Sequence, residues 1–279
     1  MTEYHEKELM SIHLEGLELI CKANSQKQMV LLYNHPILGK VLIINDEIQH
    51  IEKYQSLYHE QLVHLPMCFT NDPKSVLILG GGSLFAAYEV LKYPSIQSVT
   101  LCDHDPEVLK IMEKYYSHAQ NVMKDNRFHY VNRDGIEFLH DCTYKYDIII
   151  NDCFNLLKEN VKYPIYERLF SLLSPTGICS DVIYRHIFDG NITKQSIQEI
   201  NKRGNLALSL VLVPEYPGVL HIQTIFGKNT NISQKASTTI NSFQKKIIND
   251  EEDLIYQLFN PAFLPFYLYL PPYIRQIIE

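Results

Sequence analysis

The sequence feature that most constrains the fold is an apolar strand pattern that runs directly into three consecutive glycines. Residues 75–79 read Ser-Val-Leu-Ile-Leu, the glycines are Gly80, Gly81 and Gly82, and a helical pattern leads from them to a second apolar segment at 99–103. Glycine permits the tight turn and the close backbone approach that such a junction requires. The order strand, glycine turn, helix, strand predicts a βαβ unit and with it a parallel sheet.

Other segments extend this sheet and place a second one before it. Further strand patterns, which predict a doubly wound, mostly parallel α/β sheet, occupy residues 128–132, 147–151, 178–183 and 224–226. Short alternating stretches, which predict a small antiparallel sheet, come earlier, at residues 17–21, 29–33 and 41–45. A helical pattern begins near Lys53 and stops near Pro66. We therefore expect an N-terminal β domain with a linking helix at 1–70 and an α/β domain at 71–279.

Charge and composition narrow the classes of function. The 279 residues carry 25 Lys plus Arg against 32 Asp plus Glu, and the resulting formal charge of −7 disfavours a nucleic-acid polymer as partner. No run of about 18 apolar residues predicts a membrane span, so we expect a cytoplasmic protein that does not bind membranes. The six cysteines are scattered without a Cys-x-x-Cys pair, which argues against a zinc knuckle or a disulfide framework. No metal is expected.

Three aspartates follow three of the predicted parallel strands where each strand ends. Asp103 ends the second strand of the βαβ unit, Asp134 comes after the strand at 128–132, and Asp152 comes after the strand at 147–151. Ligands of open parallel sheets bind beyond the carboxyl ends of the strands, so these acids share one edge with the glycine turn. A carboxylate after the second strand can accept hydrogen bonds from both ribose hydroxyls, and one after the third can accept from an adenine amine. The pattern predicts an adenosine ligand.

The glycine turn itself separates two kinds of adenosine ligand. Gly80-x-Gly82 is followed at the third place by Phe85, where the dinucleotide motif Gly-x-Gly-x-x-Gly carries a third glycine. The sequence therefore favours an adenosyl compound over a dinucleotide.

Four further segments resemble motifs of one known enzyme family. The segment 39–49, Gly-Lys-Val-Leu-Ile-Ile-Asn-Asp-Glu-Ile-Gln, is similar to a hairpin motif Gly-x-Val-Leu-x-Leu-Asp-Gly-x-x-Gln. Tyr58-His59-Glu60 is similar to a Tyr-His-Glu helix motif, and the tail segments at 259–261 and 270–271 resemble Tyr-Asn-Pro and Leu-Pro endings. With these motifs the chain resembles the spermidine synthase, or polyamine aminopropyltransferase, family of class I S-adenosylmethionine-fold enzymes, and the likeness spans nearly the whole chain.

The resemblance implies a role for individual positions and a homodimeric state. The residues implied to bind the adenosyl donor are Gln49, Gly80, Gly81, Gly82, Ser83, Asp103, Asp134 and Gly135. Within that set, Gln49 is expected near the thioether. Asp152 is the implied catalytic carboxylate, and Tyr58, which the family has at the acceptor pocket, is the second residue implied to be catalytic. The residues expected to bind the acceptor are Tyr58, His59, Asn155, Arg185, Glu215 and Tyr216.

Two departures from the family change the expected substrates. The family has Asp-Gly after its glycines, where this chain has Ser83-Leu84, and the family's loop acid after the catalytic residue is Asn155 here. Two facing carboxylates repel by a few kcal/mol at intermediate dielectric, so Ser83 leaves room for a donor that keeps its α-carboxylate, namely intact S-adenosylmethionine. Arg185, with Lys158 and Lys162, favours an anionic acceptor such as a phosphate.

We therefore expect transfer of a 3-amino-3-carboxypropyl group from S-adenosylmethionine to a small-molecule or peptide-nucleotide acceptor, with release of methylthioadenosine. This profile resembles the enzyme of microcin C type peptide-nucleotide antibiotic pathways. Three alternatives stay open. They are a spermidine synthase that uses decarboxylated S-adenosylmethionine and putrescine, a methyltransferase on the same fold, and a non-catalytic module that only binds a nucleoside.

Overall fold

A computed structural model describes residues 13–25, 27–153, 165–186, 191–216, 219–229, 240 and 258–278. The chain begins with a four-stranded antiparallel sheet in the order β1-β2-β3-β4. Its strands are β1 (Glu18–Asn24), β2 (Met29–His35), β3 (Gly39–Ile44) and β4 (Glu47–Ile51). A 3-10 turn at Glu52–Tyr54 leads into helix α1 (Gln55–Met67). The N-terminal sheet and α1 together precede the first parallel strand.

A seven-stranded, mostly parallel sheet follows, in the order β10-β11-β9-β8-β5-β6-β7. Its strands are β5 (Ser75–Gly80), β6 (Ser98–Asp103), β7 (Phe128–Asn132), β8 (Tyr146–Asp152), β9 (Leu173–His186), β10 (Asn205–Val211) and β11 (Val219–Gly227). The strands β5 to β9 pair in parallel, while β11 pairs antiparallel with both β9 and β10.

Helices cover both faces of this sheet. They are α2 (Phe85–Leu91), α3 (Pro106–Tyr115), α4 (Ser117–Lys124), α5 (Gly135–Asp141), α6 (Ile165–Leu172), α7 (Asn191–Asn201), α8 (Leu264–Tyr267) and α9 (Pro272–Ile278). Successive residues of β5 point to opposite faces. Val76 and Ile78 pack in the core beneath α1 to α4, whereas Leu77 and Leu79 pack with residues of α5 to α7.

Helix α1 is fixed on the sheet by a buried polar seam. Ser180 Oγ donates to the carbonyl of Leu62 at 3.0 Å, and Gln61 Nε2 donates to the carbonyl of Leu210 at 2.7 Å. Gln223 Nε2 donates to the carbonyl of Gln61 at 3.1 Å. Buried polar groups are costly unless they are paired, so these bonds disfavour a rotated or shifted helix. The seam therefore sets the position of Tyr58, which lies in the first turn of α1.

The expected fold class is confirmed: a doubly wound, mostly parallel α/β sheet is preceded by a small antiparallel sheet. Strand β10 was not predicted from the sequence: its residues alternate between half-buried and buried, but the segment is rich in Leu and Ala, which also suit a helix. None of the helices in the described part of the chain is long and apolar enough to cross a membrane.

Candidate active site at the carboxyl edge of the parallel strands

The glycine turn after β5 is a left-handed loop pressed against β8. Gly80 and Gly81 have φ of 74° and 77°. A β-carbon at Gly80 would lie 2.8 Å from the carbonyl oxygen of Asp152, and one at Gly81 would lie 3.1 Å from Asp152 Oδ2. A side chain would be strained by the backbone conformation at both positions, and at Gly80 it would also clash with the carbonyl of Asp152. The glycines thus bring the loop within contact distance of the acid that ends β8.

Asp103 at the end of β6 holds the same loop from the other side. Its Oδ2 accepts from the backbone N–H of Gly82 at 3.1 Å, and its Oδ1 accepts from that of Asp105 at 2.9 Å. Burial raises the pKa of Asp103, and these two backbone donors oppose the rise. The carboxylate is therefore held in one orientation beside the glycine loop, with its outer lone pairs available to a ligand.

A contact that sequence reasoning did not find joins the N-terminal sheet to the start of α3, just after Asp103. Ser25, in the turn between β1 and β2, donates from Oγ to Asp105 Oδ2 at 2.8 Å. Asp105 in turn caps α3 by accepting from the N–H of Glu107 at 3.0 Å. Because Ser25 and Asp105 are 80 residues apart, no local sequence pattern signals the contact.

Tyr58 and Asp152 form the most strongly perturbed pair at this edge. The Tyr58 hydroxyl donates to Asp152 Oδ1 at 2.7 Å, a short bond of the kind made to a charged acceptor. Burial raises the pKa of Asp152 to about 7, and the bond from Tyr58 and the charge of Asp103 act on it in opposite directions, the first lowering it and the second raising it. Burial, followed by the charge of Asp152, raises the pKa of Tyr58 well above its usual value. Near neutral pH, Asp152 can therefore take up or release a proton while Tyr58 stays protonated.

Asp134 lies at the same edge in a different role. It is the N-cap of α5, and its Oδ1 accepts from the N–H groups of Ile136 at 2.8 Å and Glu137 at 3.2 Å. The side chain is exposed, and Gly135 is the first residue of the helix. The Asp103 carbonyl accepts from the N–H of Arg133 at 3.2 Å, which brings the ends of β6 and β7 together. The structure thus brings Asp134 next to Asp103 in the sheet, with its carboxylate occupied by a cap.

The remaining predicted residues lie around this centre at different depths. Gln49 is on β4 with its side chain exposed, while Ser83 is half-buried in the glycine loop. His59 is buried next to Tyr58, with its ring centroid 4.9 Å from the Tyr58 ring. Glu215 accepts from the N–H of Ile51 at 3.0 Å, and burial raises its pKa.

Tyr216 lies near Tyr58. Its proximity to Tyr58 contributes to the raised pKa of that phenol. Asn155, Lys158 and Lys162 lie outside the described residues, and Arg185 is described only as a backbone position in β9. The basic cluster that suggested an anionic acceptor therefore has no described side chains to support it.

An aromatic cluster borders the glycine loop and was not foreseen from the sequence. The Phe85 ring stacks on His118 at 3.7 Å and lies 4.5 Å from His50 and 5.2 Å from His59. Burial lowers the pKa of His59 and of His118 to about 4, so both rings are neutral near pH 7. These side chains come from four separate segments, so no local sequence motif predicts the cluster.

Among the residues that the structure describes, no group of three or more His, Cys, Asp or Glu side chains could hold a metal ion.

Known proteins are similar to this chain in sequence. The model of the family described as "Spermine/spermidine synthase domain" matches residues 55–237. The chain is 31% identical over 219 residues to "Putrescine N-methyltransferase 2" of Nicotiana attenuata, which covers 75% of this chain and 58% of that protein. It is 36% identical over 155 residues to "Polyamine aminopropyltransferase" of Saccharolobus solfataricus, which covers 55% of this chain and 52% of that protein. The chain thus spans less than two thirds of the length of these two relatives.

A solved structure agrees with the fold. The spermidine synthase from Thermotoga maritima superposes with a TM-score of 0.77 at 24% identity, covering 93% of this chain and 87% of that one. At this identity, the likeness establishes the fold alone.

Fold and site together define a doubly wound α/β protein with a glycine loop held between two acids at the carboxyl edge of its sheet. With the match over residues 55–237, the chain belongs to the spermine/spermidine synthase domain family. The expected family membership is confirmed.

Proposed function

We propose that the protein transfers an alkyl group from an adenosyl-sulfonium donor to an amine, with Asp152 as the base. The observation that carries the proposal is the Tyr58–Asp152 bond of 2.7 Å beside the glycine loop, with burial raising the pKa of Asp152 to about 7. A general base is most effective when its pKa is near the working pH. Asp152 meets that condition.

In the proposed reaction, the amine nitrogen attacks the carbon attached to the sulfonium sulfur. The C–N bond forms, and the C–S bond breaks with its electron pair going to sulfur, which leaves as a neutral thioether. The proton lost from nitrogen passes to Asp152. Tyr58 donates a hydrogen bond to the ionised carboxylate before this transfer. The main task of the remaining residues is to hold donor and acceptor in line.

The raised pKa of Asp152 favours an amine over the anionic acceptor expected from the sequence. An amine bound as its ammonium must lose a proton before it can attack, and a nearby base removes it. A phosphate is already an anion near neutral pH, needs no base, and is repelled by the half-buried carboxylate of Asp152 when that group is ionised. The names of the relatives also point to amines, since one is a putrescine N-methyltransferase and the other a polyamine aminopropyltransferase. We place Glu215 and Tyr216 on the acceptor side.

The identity of the alkyl group depends on the donor. Aminopropyl transfer from decarboxylated S-adenosylmethionine is the first candidate, because it agrees with the family as a whole. Ser83 favours a second candidate, intact S-adenosylmethionine, which could give its methyl or its aminocarboxypropyl group. A serine does not repel the donor carboxylate, and a family aspartate at this place would.

Product analysis tests the proposal. The protein is incubated with 1,4-diaminobutane and either donor, and the nucleoside product is identified by mass spectrometry. Methylthioadenosine indicates propyl-type transfer, and S-adenosylhomocysteine indicates methyl transfer. No alkylated amine with either donor would refute the proposed reaction. Calorimetry with the two donors, on the wild type and on Ser83→Asp, should show that the substitution weakens binding of the intact donor relative to the decarboxylated one.

A further inference from the structure

The loop between β5 and α2 carries backbone strain at a residue other than glycine. Leu84 has φ of 63° and is fully buried, directly before α2 begins at Phe85. With Gly80 and Gly81, it is the third left-handed residue within five positions. A left-handed conformation is unfavourable for a branched apolar side chain, so surrounding contacts must hold it in place.

One of these contacts comes from a distant helix. His118, the second residue of α4, donates from Nε2 to the carbonyl oxygen of Ser83 at 3.0 Å. Its ring stacks on Phe85 with a centroid distance of 3.7 Å and an angle of 20°. Since Ser83 and Phe85 flank Leu84, a single histidine contacts the chain on both sides of the strained residue.

The conformation of this loop matters to both acids of the site. Gly82 N–H bonds Asp103, and Gly81 packs against Asp152. A shift of the loop would therefore change the space between the two carboxylates, where the donor would lie. Nothing in the reaction itself uses the imidazole of His118, because its donor is already bound to a backbone carbonyl.

We propose that His118 is a positioning residue for the donor: by donating to the Ser83 carbonyl, it holds the glycine loop in the conformation that accepts the adenosyl sulfonium. This inference rests on the proposed function. It assigns the effect to the hydrogen bond, so a side chain that keeps a donor at the same reach preserves the function, and an apolar side chain of similar size does not.

The test compares His118→Phe with His118→Gln, and uses His129→Phe on the exposed face of β7 as the matched control. Binding of methylthioadenosine is measured by calorimetry, and the KM for the donor is measured separately from kcat. We expect His118→Phe to weaken binding about 10-fold and to raise the donor KM with little change in kcat. His118→Gln should stay within about 3-fold of the wild type, and the control should be unchanged.

A second readout needs no ligand. Hydrogen exchange of a peptide covering residues 80–84 should be faster in His118→Phe than in the wild type, and His118→Gln should restore protection. If His118→Phe does not fold, His118→Met replaces it in the same comparison. Equal binding and exchange in the wild type and the apolar variant would overturn the inference, and so would equal impairment of the apolar and Gln variants. If the wild type binds no adenosyl compound, the proposed function fails, and the exchange result still decides the role of His118.

Discussion

Helix α1 contacts one carboxylate near each of its ends, and the pKa values of the two carboxylates are shifted in opposite directions. At its start, Tyr58 donates to Asp152, and burial raises the pKa of that acid to about 7. Near its end, His64 bonds Glu89 at 2.9 Å, and Lys92 bonds the same oxygen at 2.6 Å. Burial alone would raise the pKa of Glu89, but the bonds and charges of His64 and Lys92 lower it below its usual value.

The difference lies in the bonding partner. A neutral phenol stabilises a carboxylate less than a nearby ammonium does, so burial prevails at Asp152 and pairing prevails at Glu89. A group that is easily protonated near neutral pH is suited to proton transfer, whereas a permanently ionised one is suited to holding the fold together. The comparison predicts that removing Asp152 abolishes chemistry and removing Glu89 lowers stability.

Asp152→Asn should give the largest effect. It removes the base, so kcat should fall by about 10²–10⁴-fold while the KM for the donor changes little. Initial rates of thioether-nucleoside release measure this, with Asp141→Asn on the surface as the control. If Asp152→Asn kept activity within a few-fold of the wild type, Asp152 would not be the catalytic base.

The same substitution should also change stability, with a definite sign. A raised folded pKa means that the protonated acid stabilises the fold at low pH, and that this contribution is lost as pH rises toward 7. Asp152→Asn should therefore increase the free energy of unfolding more at pH 8 than at pH 5. Urea titrations at the two pH values measure the difference, and a larger gain at pH 5 would contradict the assignment.

Glu89→Gln should destabilise the fold by about 2 kcal/mol near pH 7, because His64 and the half-buried ammonium of Lys92 both lose their buried, charged partner. The exposed pair of Glu107 and Lys110 has the same i,i+3 spacing, so Glu107→Gln is a matched control that should cost about 0.5 kcal/mol or less. Since the folded pKa of Glu89 is lowered, its contribution is present at neutral pH and is lost as pH falls through that lowered value. An equal decrease in the free energy of unfolding in both variants would show that burial does not strengthen the contribution of Glu89.

Tyr58→Phe should have a smaller effect, and it sharpens the catalytic half of the comparison. Without the phenol, the ionised form of Asp152 loses a hydrogen bond, so its pKa should rise further. The midpoint of the pH profile of kcat/KM should move upward by about 1 pH unit, and activity at pH 7 should fall about 5-fold because a smaller fraction of Asp152 is ionised. Tyr144→Phe, at an exposed tyrosine, is the control. An unchanged midpoint would mean that the hydrogen bond from Tyr58 does not affect the pKa of Asp152.

Glu215→Gln should give the smallest effect. Glu215 is an intermediate case, since burial raises its pKa and backbone N–H groups lower it. Gln still accepts from the N–H of Ile51, so the loop should be kept while the negative charge is lost. We expect the KM for a diamine to rise about 3-fold with the donor KM unchanged, and Glu113→Gln to have no effect. A rise in the donor KM instead would place Glu215 on the other side of the site.

The architecture could be predicted because it depends on patterns that are local in sequence. The apolar run into Gly80 predicted the βαβ unit, and the acids at 103, 134 and 152 were assigned to the carboxyl edge where the structure has them. A run of five or six mostly apolar residues, bounded by turn residues, is enough to identify such strands from the sequence. The roles assigned to these acids stay predictions.

The electrostatic state of the site could not be predicted, because it depends on contacts between distant segments. The Tyr58–Asp152 bond joins residues 94 positions apart, and His118 reaches Ser83 across 35. The resemblance implied a catalytic carboxylate at Asp152, but its raised pKa could not be predicted, since the degree of burial is not visible in sequence. The anionic acceptor stays an expectation. The comparison with a microcin C type enzyme stays an expectation, as do the dimer and the cytoplasmic location.

The most direct test is an NMR titration of the Asp152 carboxyl carbon in carbon-13-labelled protein, with the signal assigned by its absence in Asp152→Asn. The account predicts a midpoint near pH 7 and a higher one in Tyr58→Phe. A midpoint near pH 4, the ordinary value for an exposed aspartate, would contradict the role of Asp152 as a neutral-pH base.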